Sequence, residues 1–393
     1  MTDASKGPLD GLVVLDLTRI LAGPTATQML GDLGATVWKI ENPERGDDTR
    51  AWGPPYADTE DGIQDLSAYF LSANRNKMSV AVDLALPEGQ AQIRKLAARA
   101  DIMVENFKPG GLVKYGLDPD TLRKAHPGLI TCSISGFGQT GPNREKPGYD
   151  LMAQGYGGIM SLTGAPDGPP MKVGVGIADV MCGMYAATGI LAALHHRTQT
   201  GEGQSIDVAL VDTQMAWLIN EGTNTLMSGK IPERRGNAHP NIVPYDVFDA
   251  SDGHVIVAVG NDAQFARFCD ALGLGPLHED PSFVTNPARI THRDALMLHL
   301  RPALTTIPAA TIIQKLEAAK VPVGPIHDLN QALATDQAKA RDAVIEQTQN
   351  GATLKLLGNP LKFSATPVQY TRPPPRLGEH TGVVLGKTDT END

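Results

Sequence analysis

L-V-V-L-D-L at 12–17, T-V-W-K-I at 36–40, S-V-A-V-D-L at 79–84, D-I-M-V-E-N-F at 101–107 and L-I-T-C-S-I-S-G-F at 129–137 decide the fold class. Each is a short apolar, β-branched run of the length of a strand buried on both faces. Helical patterns separate them. Pro24 stands where a first helical turn tolerates proline, ahead of 25–33, and Pro87 opens an amphipathic segment carrying Ile93, Leu96 and Ala97. Parallel strands need crossover helices, so the alternation predicts an α/β fold: a doubly wound, mostly parallel, Rossmann-like sheet with helices on both faces.

Further along the chain, Met181, Met184, Tyr185, Thr188, Ile190, Leu191 and Leu194 describe a long helix over 179–196, rich in small residues and suited to close packing. S-I-D-V-A-L-V-D at 205–212 reads as a buried strand or a helix start, and 213–226 as one long helix. Composition then shifts: 229–245 holds three prolines and two glycines and reads as a linker or functional loop. The Asp-Gly within 245–260 signals a β-hairpin, and helical patterns follow to Lys320. Beyond Val321 the chain reads as extended and Pro-rich, ending in a tail, 371–381, that wraps over another surface. The expected organisation is a large α/β domain from 1–225, a smaller α+β domain with linkers over 226–330, and a return to the large domain with a C-terminal tail over 331–393.

At 393 residues the chain exceeds one core of ~100–200 residues, which favours two domains. A net charge of −10 repels polyanions and disfavours nucleic acid or anionic membrane as partners. Three cysteines without C-x-x-C spacing fit a reducing compartment, and the N-terminus shows no apolar run behind a basic start, so the expectation is a cytoplasmic protein. There is no G-x-G-x-x-G after the first strand, no G-x-x-x-x-G-K-[ST], no G-x-S-x-G and no H-E-x-x-H. His195 and His196 are adjacent, point to different helix faces and cannot share a metal, so no metal site and no prosthetic group is expected.

The informative stretch is G-Y-D-L-M-A-Q-G-Y-G-G-I-M-S-L-T-G at 148–164 with V-G-V-G-I-A-D-V-M-C-G-M at 173–184. Asp179 stands between a Gly/Ala-rich run and a helix, where small neighbours let a ligand approach a carboxylate. The residues alone leave two readings open: a helix N-cap, as Asp commonly is, or a reactive carboxylate.

G-P-L-D-G-L-V-V-L-D-L-T-R-I-L-A-G-P (7–24), L-G-A-T-V-W-K-I-E (33–41), V-E-N-F-K-P-G (104–110), G-Y-D (148–150), I-A-D (177–179) and R-T-Q-T-G-E-G-Q (197–204) together resemble the class III CoA-transferase family. That family holds formyl-CoA, carnitinyl-CoA and succinyl-CoA transferases and the α-methylacyl-CoA racemases. The likeness runs from residue 7 to about 385. G-N-A-H-P-N-I-V-P-Y (236–245), V-G-N-D-A-Q-F (259–265) and R-P-P-P-R-L-G-E-H-T (372–381) look most like the branch that moves CoA between dicarboxylic acids.

The resemblance implies an interlocked homodimer and acyl-CoA and small carboxylate substrates. It places the family's nucleophile on Asp179, which would form an acyl-aspartyl anhydride and then an aspartyl-CoA thioester. Backbone N–H groups near Val180 and Met181 are the expected oxyanion donors. The coenzyme A site is expected to use Arg19, Asn106, Phe107 and Lys114, with Lys77 and Arg75 near a further contact region. Tyr149 and Asp150 fall beside the substrate. The family forms its acceptor pocket between domains, which makes 234–245, and Arg235 and His239 in particular, candidates for a second carboxylate. Leu21 replaces the glutamine of formyl-CoA transferases and their four-glycine run is missing, which weighs against formate or oxalate. Tyr149 replaces the racemase histidine, and a phenol of pKa ~10 is a poor base. A racemase or epimerase, and a non-catalytic CoA-binding protein of the same fold, remain the alternative readings.

Overall fold

The computed structural model describes residues 6–386; the first five and last seven residues of the expected large-domain segments lie outside them. The chain divides into two compact units. Among the described residues one comprises 6–160, 172–230 and 336–386, the other 161–171 and 231–335.

The first unit is built on six parallel strands: β1 Val13–Leu17, β2 Thr36–Glu41, β3 Lys77–Ala81, β4 Ile102–Glu105, β5 Ile130–Ser135 and β6 Ser205–Ala209. Their order is β3-β2-β1-β4-β5-β6. The chain moves outward from β1 in one direction and then restarts from its other side at β4. At that reversal the two following loops diverge and leave a crevice beyond the carboxyl ends of β1 and β4, where ligands of open α/β sheets bind. The β3 run sits two residues earlier than the apolar pattern alone suggests, because Lys77 enters the strand buried and paired.

Helices α1 Ala22–Asp32, α2 Ala68–Ser72, α3 Pro87–Ala97, α4 Pro119–Ala125, α5 Asp150–Tyr156, α6 Ile177–Thr200, α7 Leu210–Ala216 and α8 Ile219–Ser228 complete the unit up to residue 230. Pro24 and Pro87 stand in first turns, where no intrahelical N–H is missed. Val14, Leu30, Ile102, Ile130, Cys182, Ala186 and Ile190 form one core face of the sheet; Leu15, Met103, Ile93 and Leu96 form the other. Each fully buried Leu or Ile contributes about 1.5–3 kcal/mol. Gly183 lets α6 lie directly on α1, since a Cβ there would stand 2.6 Å from the Ala22 carbonyl oxygen. By length and composition α6 could cross a membrane; here Ala178, Cys182, Ala186 and Ile190 pack it into this core. The helix expected over 213–226 is broken instead. No Gly or Pro marks the break; Ile219 takes φ 32° where Leu218 turns against Gly158 and Gly222.

The second unit holds the antiparallel sheet β7 Tyr245–Ala250, β8 Gly253–Ala258 and β9 Val323–Pro325, with helices α9 Asp262–Leu272, α10 Asn286–Thr291, α11 Arg293–Leu304, α12 Ala309–Ala318 and α13 Leu329–Ala334. Phe248, Val255, Val257, Phe265, Phe268, Leu296 and Leu300 make its separate core. Segment 161–171 groups with this unit, tied by Arg234, which donates to the Ala165 and Gly168 carbonyls at 3.3 and 2.6 Å.

After residue 335 the chain is not simply extended. β10 Val344–Gln349 and β11 Ala352–Leu357 form a hairpin whose Ala352, Leu354 and Leu356 bury against Leu66, Phe70 and Leu71. The alternation A-T-L-K-L-L carries that signal and the Pro-rich flanks obscured it. The tail beyond it lies on the first unit: Arg376 pairs with Asp61 and Asp65, Gln369 N–H reaches the Asp32 carbonyl at 2.9 Å, and Thr381 Oγ1 accepts from Ala81 N–H at 2.9 Å.

Candidate active site

A cleft of about 610 Å³ opens at the sheet reversal, lined by Arg19–Ala22 after β1, Asn106–Gly111 after β4, and Ile134–Gly136 at the end of β5. Lys114, Tyr115, Lys146, Tyr149 and Asp179 complete its wall. The segment carrying Tyr149 reaches the cleft through a glycine crossing: a Cβ on Gly136 would stand 2.4 Å from Gly148 Cα. Any side chain at either position would push the 146–150 segment away.

Asp179 is the third residue of α6, and Gly176 is the cap residue, so the N-cap reading of Asp179 does not hold. Its carboxyl is half-buried, and burial first, then the negative charge of Asp150, push its pKa up to about 7. Asp150 is itself engaged. Its Oδ1 accepts from Ala178 N–H and its Oδ2 from Gln154 Nε2, both at 2.8 Å, so it supplies the missing cap of α6 from a distance. The expected oxyanion donors are also taken: Val180 N–H donates to Gly176 O at 3.1 Å, and Met181 lies within the helix. Tyr69 on α2 was not marked by the sequence pattern. Its phenol is held above its usual pKa by burial and then by the charges of Asp179, Asp150 and Asp47. Its ring meets Trp52 edge-on at 5.1 Å. Only a fold-level juxtaposition links residue 69 to residue 179.

The predicted coenzyme contacts separate into two groups. Arg19, Phe107 and Lys114 line the cleft, and Lys108 and Lys146, which sequence reasoning missed, add two exposed cations. Asn106 lines it too, but its side chain is spent on Arg19: Nδ2 donates to the Arg19 carbonyl at 2.7 Å and Oδ1 accepts from Arg19 N–H at 3.1 Å. Lys77 and Arg75 are not in the cleft. Lys77 is fully buried, 3.2 Å from Asp16 and 3.0 Å from the Pro24 carbonyl, and burial lowers its pKa to about 8. Arg75 is clamped by Asp32 and the Leu357 carbonyl. Both are cations that the core needs for its own carboxylates, which is why a contact pattern in sequence misplaced them.

Arg235 and His239 belong to the second unit. There His239 Nδ1 accepts from Asn241 N–H at 3.0 Å, and Arg293 Nη2 donates to the His239 and Pro240 carbonyls at 2.8 and 3.1 Å. Burial, and then the positive charge of Arg235, hold the Arg293 guanidinium below its ordinary pKa, so this loop concentrates positive charge. Among the described residues no cluster of His, Cys, Asp and Glu is arranged for a metal, and the three cysteines are free and buried.

A family model for "CoA-transferase family III" matches residues 9–381. The chain belongs to CoA-transferase family III. It is 47% identical over 393 residues to a succinate--glutarate CoA-transferase of Agrobacterium fabrum, covering 99% of this chain and 98% of that one. It is 40% identical to a mouse succinyl-CoA:glutarate CoA-transferase, covering 97% of this chain and 86% of the relative. A CAIB/BAIF family protein from Brucella suis superposes with a TM-score of 0.87 at 46% identity, over 98% of this chain and all of that one. This family III CoA-transferase thus carries an α/β sheet, a cleft at its reversal, and a carboxylate in that cleft.

An acid limb in the pH profile should follow from Asp179. A carboxyl raised to about 7 is mostly protonated below pH 7 and ionised above it, so kcat/KM should rise through about pH 7 if the reaction uses the carboxylate. Asp150→Asn keeps an acceptor for Ala178 and removes the repelling charge. The limb should move to lower pH while staying above an ordinary aspartate, because burial is the larger cause. A limb that does not move would show that Asp179 is not the titrating group.

Proposed function

We propose that this enzyme moves CoA from succinyl-CoA, or a similar acyl-CoA, to a small carboxylic acid of the dicarboxylate type. The observation that carries the reading is Asp179, a carboxylate of raised pKa in the same cleft as four cations. Arg19, Lys108, Lys114 and Lys146 suit the phosphates of coenzyme A, which explains anion binding by a chain of charge −10. Asp179 Oδ attacks the thioester carbonyl carbon, and CoA leaves as thiolate, giving an acyl-aspartyl anhydride. The thiolate attacks the aspartyl carbonyl and releases the donor acid, leaving an aspartyl-CoA thioester. The acceptor carboxylate reverses the two steps with a new acyl group. No proton need be removed, so desolvation of a carboxylate serves better than a base. Tyr149 lines the same cleft, and Asp150 acts on the Asp179 carboxyl through its charge.

Succinyl-CoA without acceptor should add a covalent CoA to the protein, mapped by mass spectrometry to the peptide holding Asp179. Intact protein with no adduct would overturn the reading.

The relatives named for succinate, glutarate and succinyl-CoA support a dicarboxylate acceptor. Arg235 and His239 are the residues proposed to take its second carboxylate. Glutarate should then exceed valerate in kcat/KM by on the order of 30- to 100-fold, the worth of a charge-assisted pair. Arg235→Gln should remove most of that ratio, and equal values in the wild type would sink the assignment. A second copy of the chain is the proposed cover for Leu226 and Met227, 88% and 84% exposed on α8, in an interlocked homodimer. A reducing cytoplasm is the proposed compartment.

A further inference from the structure

The loop that carries Arg19 is held by side chains at nearly every backbone polar atom. Thr18 N–H and hydroxyl donate to buried Asp16 at 2.9 and 2.6 Å, and the Thr18 carbonyl accepts from Lys39 Nζ at 3.1 Å. Asn106 takes both polar atoms of the Arg19 backbone. Ile20 N–H points between the two oxygens of Asp47, at 3.2 and 3.3 Å.

The last contact matters most. Ile20 has φ 73°, in the left-handed region that a β-branched residue rarely enters. Such a conformation persists only where its surroundings over-determine it, and those places cluster at functional sites. Asp47 is built for that duty. It is 2% exposed, it lies 2.8 Å from the buried Lys39 ammonium, and it also accepts from Thr49 N–H at 3.0 Å and the Thr49 hydroxyl at 2.8 Å. Burial alone would raise its pKa, yet Lys39 and these bonds hold it at about 2. Its own N–H is fixed by Glu41, which Arg50 grips with two nitrogens at 2.8 and 2.7 Å. The acceptor facing Ile20 is therefore ionised and cannot turn away.

Ile20 also joins the two functional ends of the cleft. Arg19 precedes it. Leu21 follows it and lies against Gly176, three residues ahead of Asp179, where a Cβ would stand 3.1 Å from Leu21 Cδ2. A rotation at residue 20 moves the Arg19 guanidinium, which lines the cleft and pairs with Asp48, together with the wall beside Asp179.

We propose that Asp47, backed by Lys39, is a positioning residue for the acyl-CoA: it locks Ile20 left-handed and so sets Arg19 and Leu21 in register with Asp179. Asp47 is not part of the lining of the cleft that holds Asp179. The proposal rests on the reading of that cleft as the acyl-CoA site.

The test is the double substitution Lys39→Met, Asp47→Leu, which removes the buried pair without stranding either charge. Thermal unfolding, the Kd for CoA by calorimetry and the steady-state constants with succinyl-CoA are read together. The expected result is a folded protein whose KM for succinyl-CoA rises on the order of tenfold and whose kcat falls comparably. Adding Ile20→Gly should restore a substantial part of both, because glycine takes a positive φ without the clamp. Should the double variant not fold, Asp47→Asn is measured in the same way, alone and with Ile20→Gly. Wild-type constants in a folded variant would overturn the role of Asp47, as would a loss that Ile20→Gly leaves untouched. A wild-type chain that binds no CoA would instead overturn the reading of the cleft, and this proposal with it.

Discussion

Asp179→Ala should lower the rate of CoA transfer by a factor on the order of 10³ or more, while the Kd for CoA stays within about threefold. The asymmetry follows from what the side chain does. Arg19, Lys108, Lys114 and Lys146, the cations proposed for the phosphates, line the cleft, and none of these depends on Asp179. The proposed covalent step would have no substitute, because Asp150, the nearby carboxylate, is spent on Ala178 and Gln154. Stability should not suffer. A carboxyl raised from 3.8 to about 7 is penalised when it ionises in the folded state, so above pH 7 its removal relieves a cost. The measurements are steady-state transfer, calorimetric titration with CoA and a thermal melt. Retention of a tenth of wild-type turnover would remove Asp179 from the mechanism.

The second large effect is structural and settles Arg75. Asp32 is fully buried and accepts from Arg75 Nε at 2.9 Å and Nη2 at 2.5 Å, from Asn76 Nδ2 at 2.8 Å and from Asn359 Nδ2 at 3.0 Å. Asn76 Oδ1 in turn accepts from Thr371 N–H and Arg372 N–H at 2.9 and 3.1 Å, so one carboxylate organises α1, the β3 approach and the returning C-terminal segment. Asp32→Ala leaves the buried Arg75 guanidinium without its carboxylate and takes an acceptor from Asn76 and Asn359, and should cost about 3–5 kcal/mol of unfolding free energy. Urea denaturation followed by circular dichroism measures it, and CoA affinity of the folded fraction should be unchanged. A loss below about 1 kcal/mol, or an Arg75→Met variant that weakens CoA binding without loss of stability, would return Arg75 to the coenzyme site.

Legibility in the sequence follows the range of each interaction. The parallel sheet was readable because L-V-V-L-D-L and its counterparts need no distant partner to declare that both faces are buried, and Pro24 and Pro87 mark helix starts through φ alone. The hairpin of β10 and β11 and the break at Ile219 were not, since packing against Leu66 and Phe70, and of Leu218 on Gly158, involves residues far along the chain.

For the site, the family resemblance brought out Asp179, Arg19, Phe107, Lys114 and Tyr149, which line one cleft. The sequence by itself thus determined the sheet and the family likeness, and left Asp179 between a helix cap and a reactive carboxylate. Only the tertiary structure decided which cations face solvent and which are buried counterions. Arg19 and Arg75, or Lys114 and Lys77, are the same functional groups in sequence. What distinguishes them is whether a carboxylate such as Asp32 or Asp16 waits behind them in a medium without water, where an ion pair is kept and a ligand cannot reach. The same holds for Asp179 itself: its pKa near 7 comes from burial and from Asp150, 29 positions earlier in the chain, and neither is present until the fold closes around it.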